Sequence, residues 1–136
     1  MDKHILPIKK AVSVFFVFAF GYFLSTLLRA ITATLSPTLT SEFGLQAADL
    51  GLLAGGYFLG FGSMQIPLGY LLDKHGPKKI VSSFLFIAFI GVTAFALSKN
   101  FSSLFISRVL IGVGVSACLM GPLTAYRIWF ADKYQQ

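Results

Sequence analysis

The chain has 136 residues, of which 56% are hydrophobic, 15% are aromatic and 12% are charged, whereas a typical soluble domain carries about 25% charged residues. A soluble fold this apolar could not cover its surface with polar groups, so an ordinary soluble domain is excluded and a lipid environment is favoured. The formal net charge is +6, but the basic residues lie in short patches between apolar runs, which is typical of membrane topology signals and argues against a nucleic-acid partner.

Four apolar stretches follow one another along the chain, and each is long enough to cross a bilayer as a helix of about 20 residues. They cover about 11–35, 50–72, 80–97 and 104–128. The first stretch is longer than the apolar part of a cleavable signal peptide, so we expect it to remain in the protein. The pattern predicts an all-α membrane protein with four transmembrane helices over residues 11–130, a cytoplasmic N-terminal segment (1–10) and a cytoplasmic C-terminal end (131–136).

The residues between and within these stretches fit such an arrangement. Ser36-Pro37-Thr38 is predicted to break or kink the first helix, and Gly76-Pro77 marks a turn between the second and third helices. Small residues recur in the second and fourth stretches, and in lipid they allow two helix backbones to approach closely. The residues predicted for helix packing are Gly51, Gly55, Gly56, Gly60, Gly62, Gly112 and Gly114.

The distribution of positive charge predicts the orientation. With both termini in the cytoplasm, eight Lys and Arg residues lie inside and one lies outside, which is a strong positive-inside bias. The inside residues are Lys3, Lys9, Lys10, Lys74, Lys78, Lys79, Arg127 and Lys133, and the outside residue is Lys99. The segment from Ser36 to Ala48 is then expected to face outward, and the protein is expected in the plasma (inner) membrane.

The segment between the second and third stretches is the most specific feature of the sequence. Gly69 is followed by Asp73 four positions later, by Gly76 after three more, and then by the paired lysines Lys78 and Lys79. This spacing resembles the signature of the major facilitator superfamily between its helices two and three. A generic positive-inside loop would explain the lysines but not the spacing of the glycines and the aspartate.

A second pattern supports the same resemblance. Arg108, Gly112 and Gly114 match the Arg-x-x-x-Gly-x-Gly pattern of helix four in that family. The resemblance covers essentially the whole chain and implies the first four helices of a twelve-helix fold, so the chain is expected to be an N-terminal fragment. It also implies that the loop around Asp73 is a conformational switch, a latch that holds one access state. Because the other half of the fold is absent, the latch is expected to have no partner in this chain.

Arg29 and Arg108 are charged residues in the interior of the predicted spans, where an unpaired cation is costly and is by default a candidate for function. Each lies about 9 Å below the outer end of its helix, at 1.5 Å per residue. We predict that both face the central cavity and bind substrate, with Arg29 the better candidate because helix one lines the cavity in the family. Arg108 is alternatively a brace for helix packing or an aid to proton coupling. Snorkelling, or a hydrogen bond to backbone carbonyls, is the structural alternative for both arginines.

The predicted function is secondary transport of a small solute by alternating access. Two cations at one level favour an anionic or zwitterionic substrate, and a proton is a candidate coupling ion. The expected partners are that solute, the lipid bilayer and the remaining helices of a full-length transporter. The alternative is a small membrane protein with an interaction or regulatory role and no transport activity.

Other functions find no support in the sequence. A four-helix multidrug exporter is disfavoured, because such exporters resemble one another in carrying a membrane-embedded Glu in helix one and this chain has none there. The sequence contains no nucleophile–base pair, phosphate-binding loop or cluster of metal ligands. We therefore predict no enzyme activity, no cofactor and no metal.

Overall fold

In a computed structural model of the protein, which describes residues 8–129, the chain forms five helices. They are α1 (Ile8–Phe43), α2 (Ala47–Ser63), α3 (Gln65–His75), α4 (Pro77–Ala96) and α5 (Phe101–Trp129). These described residues contain no strand, so the predicted all-α fold is confirmed. Most of the segments predicted to be cytoplasmic, namely residues 1–7 and 131–136, lies outside the described residues.

The first helix is longer than predicted. It does not stop near Leu35 but continues through Pro37 to Phe43, so the predicted break at Ser36-Pro37-Thr38 is wrong. A helix can pass through a proline because it loses only one backbone hydrogen bond there and neighbouring residues still hold the turn. The helix ends where Gly44 takes a left-handed backbone conformation with a φ of 64°.

The second predicted stretch is divided into α2 and α3 by a turn at Met64. Pro67 explains the division, because it has no N–H to donate to the carbonyl four residues earlier, that of Ser63. Beside the turn, the side chain of Gln65 donates to the carbonyl of Phe61, with Nε2 and O 3.2 Å apart. The helix count is therefore five rather than four in the described residues, although α2 and α3 together cover the predicted second span.

Three of the described helices are long and apolar enough to cross a membrane by themselves, and they include the segments Lys9–Phe43, Pro77–Ala96 and Phe101–Arg127. The helix α5 is the centre of the molecule. In its most apolar part 61% of the residues are buried, against 17% for α4 and 11% for α1. Three clusters of buried side chains lie along α5, and they contain Leu104, then Ile111 and Val115, then Ala117 from that helix.

Candidate functional site

Arg108 lies on α5 and is completely enclosed, with 0% of its surface exposed. Its Nη1 atom donates a hydrogen bond to the carbonyl of Leu28 in α1, at 3.0 Å. Its guanidinium carbon lies 4.5 Å from the centre of the Phe95 ring in α4, which is a cation–π contact. One side chain on α5 therefore contacts both α1 and α4.

The rest of the Arg108 guanidinium has unused hydrogen-bonding capacity. Nε and Nη2 are buried and have no acceptor among the described residues. These two N–H groups lie along one edge of the planar guanidinium and point outward in parallel. That edge can form two parallel hydrogen bonds to a carboxylate. Because a buried donor without an acceptor is costly, this edge is chemically suited to an oxyanion or an ordered water.

Arg29 has a different environment. Its side chain is exposed on the described bundle, and its guanidinium carbon lies 5.9 Å from the centre of the Phe58 ring in α2. Arg29 directly follows Leu28, the residue whose carbonyl Arg108 binds. The guanidinium of Arg108 therefore meets α1 at the height of Arg29. They do not share a surface, however, because α1 covers Arg108. In this conformation Arg108 does not line an open cavity as the sequence predicted.

Polar neighbours surround the contact between α1 and the other helices. Ser25 and Thr32 on α1 are buried, and so is Tyr57 on α2. The hydroxyl of Tyr57 donates to the carbonyl of Ser25 at 3.4 Å. The sequence analysis missed these residues, although one signal was present. Ser25 and Thr32 are seven residues apart, so they lie on the same face of a helix that is otherwise mostly apolar.

The candidate switch segment lies where α3 meets α4. Asp73, near the end of α3, forms an ion pair with Arg127 near the end of α5, with Oδ1 and Nη2 3.0 Å apart and both side chains exposed. This pair lies within one bundle, so the expected closing of the latch on the other half of the fold stays a prediction. The sequence analysis did not consider Arg127 as a partner, although the charge distribution predicted it on the same side of the membrane as Asp73.

The other switch residues have distinct local environments. Gly76 has a φ of 80° and separates α3 from α4, so it allows the sharp reversal that Pro77 then continues as the first residue of α4. Lys78 and Lys79 are exposed in the first turn of α4. At Gly69 an added Cβ would meet nothing within 4 Å, so space inside the described bundle does not require glycine there.

The seven glycines predicted for packing fall into two groups. Four lie where other residues approach closely: Gly56 against the Phe105 ring, Gly60 against the Val109 carbonyl, Gly112 against the Tyr57 carbonyl, and Gly114 against Ala88. At the other three an added Cβ would meet nothing within 4 Å. For Gly51, Gly55 and Gly62, the predicted role in helix packing stays a prediction, and it would require contact with helices other than those described.

An apolar cleft of about 210 Å³ lies between α1 and α5. Phe18 and Tyr22 line it from α1, and Cys118, Pro122 and Tyr126 line it from α5. No group of three or more His, Cys, Asp or Glu residues comes together anywhere in residues 8–129. The described residues that line the cleft offer apolar surface and no charged side chain, and the charged candidates for ligand contact stay the two arginines that the sequence predicted.

Comparisons with known proteins point to one family. The family model described as Major Facilitator Superfamily matches residues 18–136. The chain is 25% identical over 108 residues to the probable sulfoacetate transporter SauU of Cupriavidus necator, which covers 79% of this chain and 25% of that protein. It is 29% identical over 114 residues to the nitrate/nitrite transporter NrtP of a Picosynechococcus species, which covers 84% and 21%.

A third relative is the probable L-galactonate transporter of Escherichia coli. It is 31% identical over 98 residues, which covers 71% of this chain and 21% of that protein. The chain thus spans about a quarter or less of the length of these curated relatives. No solved structure matches the chain.

Proposed function

The chain belongs to the major facilitator superfamily, and from this premise we propose that it forms the first four spans of a longer secondary transporter that moves a small anionic solute by alternating access. It is an integral membrane protein of a transporter family, not of an enzyme family. The proposal that it is part of a longer protein is supported by its relatives, because each of them is about four times as long as the matched region or longer. Its proposed N-terminal position rests on the resemblance of the Gly69 to Lys79 segment and of Arg108, Gly112 and Gly114 to motifs of the first four helices.

The observation that carries the proposed substrate class is Arg29. It is an exposed permanent cation in the interior of an apolar helix, and the predicted spans contain no Asp or Glu in their interiors. Such a cation faces a cavity or a partner rather than lipid, because lipid cannot solvate it. The three relatives are named for sulfoacetate, nitrate or nitrite, and L-galactonate, all of which are anions at neutral pH. A guanidinium matches such oxyanions with two hydrogen bonds.

Alternating access gives the switch segment its proposed role. The pair between Asp73 and Arg127 joins the end of α3 to the end of α5, so these two helix ends would move together against the other half. A coupling proton would need a titratable carrier. Because the span interiors contain no carboxylate, that carrier would come from helices outside this chain. The plasma (inner) membrane, with both termini in the cytoplasm, is the proposed location.

Uptake measurements with Arg29 variants of the complete transporter test the proposal. In proteoliposomes, Arg29→Ala should lower uptake of the anionic substrate by about tenfold or more, because a hydrogen bond to a charged group contributes about 1.5–3 kcal/mol. Arg29→Lys keeps the charge but loses the planar fork, so it should retain an intermediate rate. Lys99→Ala, an exposed cation between α4 and α5, is the matched control and should transport normally. Full uptake of every anionic solute by Arg29→Ala would end the proposal.

A second candidate function is a membrane interaction protein that does not transport. It is favoured by the exposed surface of α1, of whose most apolar part only 11% is buried, since such a face can bind any apolar partner helix. The coding sequence after Gln136 separates the two functions. Further hydrophobic spans in the same frame support the transporter, whereas an immediate stop followed by an unrelated gene supports the interaction protein.

A further inference from the structure

We propose that Arg108 and Tyr57 are positioning residues, which together fasten α1 to the rest of the bundle and thereby set the position of Arg29. Neither residue needs to touch the substrate for this role. The effect on Arg29 rests on the function proposed above. The fastening itself does not, because it depends only on contacts among α1, α2, α4 and α5.

The helix α1 requires a specific fastening because its apolar packing is slight. Only 11% of its most apolar part is buried, against 61% in α5, and large side chains such as Phe16, Phe20 and Phe23 are exposed. In a bilayer, apolar surface gains little by moving from lipid to protein. Close backbone approach and hydrogen bonds between helices then decide where a helix sits.

Two donors from the rest of the bundle reach the same face of α1. The Tyr57 hydroxyl binds the Ser25 carbonyl at 3.4 Å, and the Arg108 guanidinium binds the Leu28 carbonyl at 3.0 Å. These carbonyls lie three residues apart, so they are neighbours on successive turns of α1. Each carbonyl oxygen has two lone pairs, so it can accept this bond in addition to its bond within the helix. We call the two contacts the α1 clasp.

The α1 clasp is held from a rigid side. Arg108 is completely buried on the central helix α5, and its guanidinium lies over the Phe95 ring of α4. Tyr57 is 2% exposed and belongs to the buried cluster that contains Ile111 and Val115. The donors therefore keep fixed positions, and α1 is the element whose rotation and height they determine.

Arg29 follows directly after Leu28, so the α1 clasp fixes its direction. A side chain turns with the helix that carries it, so a rotation of α1 about its axis would move Arg29 away from Phe58.

A disulfide can report whether α1 is in place. A Cβ added at Gly21 would lie 3.8 Å from the sulfur of Cys118 in α5, without a clash. The variant Gly21→Cys should therefore form an α1–α5 disulfide with the native Cys118 under mild oxidation. The rate of its formation in the membrane, measured by a gel shift, reports the population in which α1 is fastened.

A second disulfide serves as the control within the same bundle. A Cβ added at Gly121 would lie 3.8 Å from Cβ of Val81, which is the usual separation in a disulfide of about 3.8 Å. The double variant Val81→Cys with Gly121→Cys, in a Cys118→Ser background, joins α4 to α5. It does not involve α1, so it reports general loosening of the bundle.

Removing the donors should slow the α1–α5 disulfide alone. Tyr57→Phe deletes one hydroxyl and should slow it about threefold, which corresponds to about 0.6 kcal/mol for a hydrogen bond between helices in a membrane. Arg108→Lys keeps the charge but loses the fork and should slow it by about tenfold or more. Tyr70→Phe, at an exposed tyrosine of α3, should leave the rate unchanged.

The inference is overturned if the α1–α5 rate stays the same or rises in both variants, or if both disulfides slow equally. No substrate is needed for this experiment, so its failure and the failure of the proposed function can be told apart. If the α1–α5 disulfide slows as expected in these two variants while Arg29→Ala transports normally, the α1 clasp is supported and the substrate role of Arg29 is refuted.

Discussion

Two glycines form the point of closest approach between α2 and α5. A Cβ added at Gly60 would collide with the carbonyl of Val109, and one added at Gly112 would collide with the carbonyl of Tyr57. Each glycine therefore faces the backbone of the other helix, and backbone cannot move aside as a flexible side chain can. This reciprocal arrangement is the small-residue contact that membrane helices use in place of hydrophobic attraction.

Substitution of one of these glycines should lower stability in a predictable way. We expect Gly112→Ala to lower the free energy of unfolding in detergent by about 1–3 kcal/mol, because the added methyl forces the two backbones apart. Thermal unfolding followed by circular dichroism measures this. The matched control is Gly55→Ala, where an added Cβ meets nothing within 4 Å and helix propensity favours Ala by about 1 kcal/mol. Equal melting temperatures for the two variants would contradict this account of the contact.

Arg29 and Arg108 show which properties of a site the sequence contains. Their residue type, their depth along a helix and their lack of a carboxylate partner in the spans all follow from the sequence. Their surroundings do not, because the direction of a side chain depends on how each helix is rotated against its neighbours. The structure encloses Arg108 and exposes Arg29 through contacts with Leu28, Phe95 and Phe58, which are separated widely in the sequence.

At the scale of helices, prolines have opposite effects at different places. Pro37 and Pro122 lie inside α1 and α5 without ending them, whereas a turn three residues before Pro67 separates α2 from α3. All three lack the same N–H, so sequence alone could not tell them apart. Near Pro67 the side chain of Gln65 donates to the carbonyl of Phe61, so a side chain supplies a hydrogen bond at this turn.

The ion pair between Asp73 and Arg127 joins two helix ends, so its loss should affect movement more than stability. Both side chains are exposed, and such pairs contribute about 0–1 kcal/mol. In the complete transporter we expect Asp73→Asn to lower the maximal transport rate while the KM for substrate changes little. The reason is that the loop lies at the predicted membrane edge, far from a substrate at the midplane. Uptake at varied substrate concentration measures both quantities.

A charge reversal provides the control for this pair. The single variants Asp73→Arg and Arg127→Asp each place like charges together, whereas the double variant restores attraction with exchanged positions. Recovery of the transport rate in the double variant would assign the effect to this contact. A large rise in KM at an unchanged maximal rate in Asp73→Asn would instead indicate a role in substrate binding.

For the whole molecule, burial is lowest in α1 and highest in α5 among the three long apolar helices. The helix α5 contributes to all three buried clusters, while α1 leaves most of its apolar surface exposed. The all-α membrane fold and the family were predictable, because composition, apolar stretches of membrane length and the Gly69 to Lys79 spacing are properties of the sequence itself. The central position of α5 was not, because it depends on which small residues meet across helices.

Orientation is the remaining property of the whole molecule that the charges predict. Ser41 lies near the end of α1 that is predicted to face outward, and His75 lies at the end of α3 that is predicted to face inward. Both side chains are exposed and available for labelling. We expect Ser41→Cys to react in intact cells with a maleimide that cannot cross membranes, and His75→Cys to react only after the cells are permeabilised. Both variants carry Cys118→Ser so that one thiol is present. The expected pattern follows from eight inside and one outside positive charges.

The opposite labelling pattern would reverse the topology and also change the meaning of other residues. Ser41 lies twelve positions after Arg29 along a continuous helix, which is a rise of about 18 Å at 1.5 Å per residue. If Ser41 faces outward, Arg29 lies about 18 Å below it and the Asp73–Arg127 pair lies at the cytoplasmic edge. Labelling of His75→Cys but not Ser41→Cys in intact cells would place that pair outside instead. It would then be expected to hold the outer side of the transporter, and the positive residues around it would oppose the usual inside bias.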